Sequence, residues 1–155
     1  LAAAMVQGIQ SQHISACVKH FCCNNKETNR YASDSRVSER ALREIYLKAF
    51  RIVVKEADVW AVMTAYNLLN GIYTSENTDL LSGILREEWG FDGLVVTDWV
   101  NWAEHYREVL AVNNVRMPHG SPRRLKKALE CGMDGFLSKP IVIEELIHTL
   151  QTNLK

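Results

Sequence analysis

The sequence predicts an α/β protein built on a parallel sheet, and three observations carry that prediction. Short runs rich in β-branched and aromatic residues alternate with longer stretches of helical period along the chain. One of those runs, Val59 to Tyr66, is nearly continuous in apolar residues, as expected of a strand covered on both faces. A helix intervenes between strands at every step, and parallel neighbours need such a crossover.

The elements follow in order. Residues 2–11 have the pattern of the last turns of a helix. His13 to Cys22, with Ile14, Ala16, Val18 and Phe21, reads as a strand leading into a polar loop, Asn24 to Ser35. Ser38 is placed to cap the next helix, with Glu39 favourable in its first turn. Leu42, Ile45, Ala49, Ile52 and Val53 recur at three- and four-residue steps and predict one buried face, ending near Ala57. After the strand Val59 to Tyr66, Asn70-Gly71 marks a turn within the loop Asn67 to Glu76. A helix from Thr78 is expected to bury Leu81, Ile84, Leu85 and Trp89 and to stop at Gly90. Gly93 to Asp98 is the third strand, with a carboxylate at its C-terminal end. Beyond it the pattern predicts a helix over 103–111, a strand over 114–117 and a Pro-started helix over 121–131. A last strand over 135–138 and a helix over 143–153 close the chain, in a parallel sheet of four or five strands. A doubly wound sheet and part of a (β/α)8 barrel both fit, and both place functional side chains at the C-terminal ends of strands.

Composition excludes some classes of function. The 155 residues are 47% hydrophobic and 23% charged, as in an ordinary globular domain. Lys plus Arg and Asp plus Glu each total 18, so nothing in the net charge points to nucleic acid or an anionic membrane as partner. The cluster Arg123, Arg124, Lys126 and Lys127 reads as a solvated helix face. No apolar run approaches the roughly 18 residues of a membrane span. The opening segment has no signal-peptide form and reads as a piece that begins inside a helix. Cysteines 17, 22, 23 and 131 lack zinc-ligand spacing, and a disulfide framework is not implied. Free, mostly buried thiols in a reducing, cytoplasmic compartment are expected, with no metal and no other cofactor.

Chemistry-bearing residues sit at three strand ends. Asp98 ends an apolar strand, where a carboxylate is partly desolvated and needs a partner or a task. A helix N-cap is the bland reading of the same residue. Trp99 beside it suits a sugar platform, or packing. Lys19 and His20 would together donate to several hydroxyls and place positive charge near a carboxylate, or would form an exposed strand end. Arg30 suits a bidentate contact to hydroxyls or a loop salt bridge. Tyr66 at the end of its strand, after Met63, suits a hydrogen bond to a carboxylate or a sugar oxygen, or plain packing.

Taken together, these segments resemble glycoside hydrolase family 3, the family of many β-glucosidases. The resemblance rests on Lys19-His20-Phe21, Asn24-Asn25-x-Glu27-Thr28-Asn29-Arg30 and Val37 to Tyr46. It continues through Ala61-Val62-Met63-x-x-Tyr66-Asn67, Asn70-Gly71 and Leu85-Arg86-x-Glu88-Trp89-Gly90-Phe91-Asp92-Gly93 to Thr97-Asp98-Trp99. Order and spacing agree from residue 1 to about 130. The resemblance implies a partial (β/α)8 barrel of parallel strands alternating with helices. It implies a β-linked glucoside or oligosaccharide as substrate and Asp98 as the nucleophile of retaining hydrolysis. Lys19, His20 and Arg30 are then binders of the glycone hydroxyls, Met63 and Tyr66 walls of the same subsite, and Trp99 the aromatic on the aglycone side.

The resemblance also sets limits. The family's early barrel strands have no counterpart in this sequence, nor does the later domain that usually brings the acid/base Glu. The expectation is a fragment with little activity alone, prone to self-association through an open barrel edge. Residues 131–155 are expected to form a βα tail of uncertain origin packed on the same domain. There Gly132 to Ile141, with Lys139-Pro140, is similar to the end of a response-regulator receiver domain. A receiver-like phosphoacceptor module and an inert α/β scaffold are the rival functions.

Overall fold

The computed structural model describes residues 1–130, and its central element is a parallel sheet of three strands. These are β1 (Cys17–Phe21), β3 (Ala61–Thr64) and β6 (Leu94–Val96), paired in the order β1-β3-β6. The register matches Val18 with Val62 and Met63 with Val96, which brings the C-terminal ends of all three strands to one edge. The stretch expected as a fourth strand, 114–117, contributes a single parallel bridge, Val115 to Val96. The sheet among the described residues is therefore narrower than the four or five strands expected. Phe21, Val62 and Val95 lie at its buried centre.

The strands are shorter than their apolar runs. β1 begins at Cys17, and Ile14, placed inside that strand by its sequence, is 61% exposed. Cys17 is exposed as well, so only Cys22 and Cys23 of the described cysteines are buried as expected. A second small sheet was not apparent in the sequence. It joins β2 (Asp34–Ser35), β4 (Leu68–Leu69) and β5 (Ile72–Tyr73). Its hairpin turns on Asn70 and Gly71, both at positive φ, the chemistry a two-residue reversal demands.

The helix expected from Ser38 to Ala57 forms, but not on the expected face. Ser38 caps it through the Ala41 amide at 3.3 Å. α2 (Glu39–Ala41) then runs into a π-type turn, Leu42–Tyr46, and on into α3 (Lys48–Ala57). In that turn the Leu47 amide reaches back five residues to the Leu42 carbonyl, 2.8 Å. One extra residue per turn rotates everything after it by about 100°. The buried set becomes Leu42, Leu47, Val53, Val54 and Ala57, while Ile45 is 68% and Ile52 39% exposed, and Ala49 is exposed too. α1 (Ala2–Gln10) closes the far end of α3: Gln7 donates to the Glu56 carbonyl and Gln10 to the Asp58 carbonyl. Those carbonyls belong to a helix end that has no internal donors left.

The π-type helix Asp79–Glu88 buries Leu80, Leu81, Ile84 and Leu85, and Trp89 follows them into the core, as the sequence indicated. Gly90, at φ +69, ends it. Phe21 is seated between this helix and α3, with ring centroids 5.0 Å from Phe50 and 6.0 Å from Trp89. Arg86 reaches out from the helix to the carbonyls of Phe91, Gly93 and Val112 and to the Asn114 side chain. It thereby fixes the entry to β6. Gly93 has to be glycine, because a Cβ there would lie 2.5 Å from the Trp60 carbonyl oxygen. α4 (His105–Leu110) and α5 (Pro122–Glu130) pack on one another, with Leu125 buried and Arg123 and Lys126 exposed, as a solvated basic face requires. The last strand, closing helix and Lys139-Pro140 predicted from the sequence lie outside the described residues. No helix among the described residues is long and apolar enough to cross a membrane.

Candidate active site

β6 delivers Asp98 to the shared strand edge, where the residue is 7% exposed. A carboxylate so desolvated needs polar partners, and three surround it. His20, from the end of β1, places Nε2 3.2 Å from Asp98 Oδ2. The Trp99 backbone amide donates to Oδ1 at 2.7 Å. Tyr66, beyond the end of β3, supplies the third through its phenol. Burial, reinforced by the hydrogen bond to Asp98 and its charge, pushes that phenol well above the ordinary tyrosine value. A phenol held protonated serves Asp98 as a donor. Three strand ends therefore converge on one carboxylate.

The other residues named from the sequence take different places. The Arg30 guanidinium lies 4.3 Å from the Tyr66 ring centroid and 5.3 Å from that of Tyr31, while Nη1 pairs with Glu27 at 2.9 Å. It lines the same mouth by stacking on the Tyr66 ring. Met63, half-buried on β3, lies three residues before Tyr66. Trp99 is 52% exposed at the rim. Lys19 is exposed, and among the described residues its side chain has no hydrogen bond or ion pair.

Sequence reasoning missed what supports this edge. Tyr31 stacks on Trp102, 5.4 Å between centroids, and meets Tyr66 edge-on at 4.7 Å, so the rim carries an aromatic cluster. Behind it, Arg116 pairs with the buried carboxylate of Glu108 and donates to the carbonyls of Ala103 (3.1 Å) and Asn101 (3.2 Å). One guanidinium thus spans the loop that follows Asp98. The Met117 amide donates to Thr97 Oγ1 at 2.9 Å and ties the same loop to the end of β6. A charged residue inside the apolar stretch Val115-Arg116-Met117 was the available signal.

Burial pushes the Glu108 carboxyl above its ordinary value, opposed by Arg116, Ser75 and Asn101. Arg116→Met removes the main opposing charge and raises that carboxyl further. A raised carboxyl favours the folded state below its unfolded pKa, and this contribution is lost as pH rises through the folded value. The expected cost of Arg116→Met is therefore about 3–5 kcal/mol near pH 8, where Glu108 must ionise without its partner. It shrinks near pH 4, about the unfolded carboxyl value, where the group holds its proton. Urea unfolding of both proteins at the two pH values measures the difference. A cost that does not change with pH would contradict the assignment.

Comparison with known proteins bears on the whole arrangement. The family description "Glycosyl hydrolase family 3 N terminal domain" matches residues 1–155. The chain is 58% identical to beta-glucosidase A of Butyrivibrio fibrisolvens over 129 residues, 83% of this chain and 16% of that protein. It is 46% identical over 119 residues to an exo-alpha-(1->6)-L-arabinopyranosidase of Bifidobacterium longum, covering 76% of this chain and 16% of that one. Beta-glucosidase 3B of Thermotoga neapolitana, solved in complex with glucose, superposes with a TM-score of 0.78 at 42% identity. That superposition covers 99% of this chain and 22% of the other. The chain thus spans about a sixth to a fifth of the length of these relatives, and the parallel sheet with its helices is part of their barrel. With family description, relatives and fold in agreement, the chain belongs to glycosyl hydrolase family 3, within its N-terminal domain.

Proposed function

We propose that this chain carries the nucleophile side of a retaining β-glucosidase site, with Asp98 attacking the anomeric carbon. The observation that supports this most is the buried Asp98 carboxylate, met by His20, Tyr66 and a backbone amide at the shared strand edge. Retaining hydrolysis needs a carboxylate placed to attack, and His20 on Oδ2 with the Trp99 amide on Oδ1 fixes its orientation. Tyr66 and His20 also hold the attacking oxygen in place, so less is lost to misorientation when a sugar enters. His20 and Arg30 face the glycone hydroxyls, Lys19 joins them once substrate supplies it with an acceptor, and Met63 and Tyr66 wall that subsite. Trp99 offers its exposed face to the aglycone.

Relatives named for a β-glucosidase and for an arabinopyranosidase share this region, so its residues suit more than one glycone. The proton donor to the leaving group lies outside the described residues: Glu88 is held by Arg43 on the helix before β6, away from the mouth. The free edge of β1 and the exposed Leu94 and Trp60 at the opposite strand ends favour self-association of the isolated chain. The direct test is a chimaera in which these residues replace the matching segment of the Butyrivibrio fibrisolvens enzyme. It should hydrolyse an aryl β-glucoside with β-glucose as the first product seen by NMR. α-Glucose first, or a folded chimaera without activity, would refute the reading.

A further inference from the structure

We propose that Cys22 and Cys23 form a preorganised two-thiol site for a monosubstituted trivalent arsenical, set at the end of the strand that carries His20. Both side chains are buried, and their Sγ atoms lie 3.6 Å apart in a sulfur–sulfur hydrogen bond. That separation suits a bridge through one atom. A pyramidal arsenic(III) bonded to both sulfurs holds them a little closer than their present 3.6 Å, so a small side-chain rotation closes the bridge. A direct disulfide suits the pair less well, because bridged cysteines usually keep their Cα atoms about 4.4–6.8 Å apart and adjacent residues sit about 3.8 Å apart.

The ligand class follows from the number of donors. Among the described residues no third Cys, His, Asp or Glu completes a metal-binding group. A metal ion that needs three or four protein ligands is poorly served there. A monosubstituted arsenic(III) carries one carbon substituent and has two bonds to give to sulfur. In the reaction of R–As=O with two thiols, two S–As bonds form, and the oxygen leaves as water with the two thiol protons. Arsenic stays trivalent and neither sulfur is oxidised, so no further reagent is required.

The surroundings assist the step. The contact between the two sulfurs draws the Cys23 thiol below the ordinary cysteine value and pushes Cys22 well above it, so the pair shares its protons unequally. The more acidic sulfur is the better first nucleophile. Entry runs through the loop 24–29, whose residues are largely exposed and which opens at low cost compared with the core. The Cys23 carbonyl accepts from the Ser35 hydroxyl at 2.8 Å, so a bridge at this point also fixes the base of the loop that bears Arg30.

Any chain with adjacent cysteines binds such a reagent once unfolded, so the decisive readout is the direction of the stability change. A ligand that prefers the folded state raises the melting temperature, and one that prefers the unfolded chain lowers it. The experiment is thermal unfolding of the chain with phenylarsine oxide in the presence of excess 2-mercaptoethanol, which removes arsenic held by a single thiol. The expected result is a rise in melting temperature, with roughly 5–10 °C at a hundredfold excess over the dissociation constant as the upper limit, reached when the unfolded chain binds none. Cys22→Ala and Cys23→Ala should each abolish it, and Cys17→Ser with Cys131→Ser should keep it. Mass spectrometry of the native adduct should place the bridge in the tryptic peptide 20–26, which checks the site even where a variant fails to fold. A fall or no change in melting temperature, or a bridge mapped to Cys17 or Cys131, would overturn the proposal.

Discussion

Asp98→Ala in the active chimaera should lower kcat for an aryl β-glucoside by about 10⁴-fold or more, the scale on which nucleophile deletions act. His20 and Tyr66 would remain, but neither replaces the carboxylate they contact. Azide should partly restore turnover by occupying the vacated space, and its product should be the α-glucosyl azide, since attack comes from the face opposite the leaving group. Asp98→Asn separates the roles further. It keeps the shape and can still accept hydrogen bonds, yet it cannot form the glycosyl ester, so it should be as inactive as the alanine variant. Stopped assays of both variants with and without azide decide this. Residual activity within tenfold of the parent would mean that another group attacks.

The isolated 155 residues should behave very differently from the chimaera. General acid catalysis supplies about 10²–10⁴-fold, and the partners of Asp98 are His20, Tyr66 and the Trp99 amide, none of them a second carboxyl. The chain spans about a sixth to a fifth of its relatives' length, and contacts from the rest of such an enzyme would act on the reacting ring in the transition state. A dinitrophenyl β-glucoside needs little protonation, so it offers the fairest chance of a residual reaction. Even there, dinitrophenol release by the chain should equal that of its Asp98→Ala variant. Robust turnover of an alkyl glucoside, lost in Asp98→Ala, would show that an acid is present in the chain after all.

Much of this was legible in the sequence, for identifiable reasons. Strands buried on both faces write themselves as apolar runs, so β3 and β6 were evident, and so was Asp98 at a strand end. Family resemblance then supplied what strand ends alone left open, the grouping of His20, Tyr66 and Asp98. What stayed hidden depended on geometry that periodicity does not encode. The π-type turn at Leu42–Tyr46 moved Ile45 and Ile52 out of the predicted face, because a 3.6-residue template assumes an unbroken helix. The hairpin at Asn70-Gly71 has strands of two residues, too short to show alternation. Lys19 and His20 looked equivalent in sequence, and the structure pairs His20 with Asp98. The Glu108–Arg116 pair joins residues on α4 and the stretch after it, and a charge within the apolar stretch around Arg116 hinted at one partner without naming the other.

The account rests on Asp98 as the attacking group, and trapping the covalent intermediate tests that most directly. Incubating the chimaera with dinitrophenyl 2-deoxy-2-fluoro-β-glucoside slows breakdown of the glycosyl-enzyme more than it blocks formation, so the ester accumulates. Digestion at low pH and mass spectrometry should then find a fluoroglucosyl group on the peptide containing Thr97-Asp98-Trp99, with fragmentation placing it on Asp98 and none on the Asp98→Ala protein. A label on Glu104, on Glu88 or on any residue outside this chain's segment would contradict the assignment.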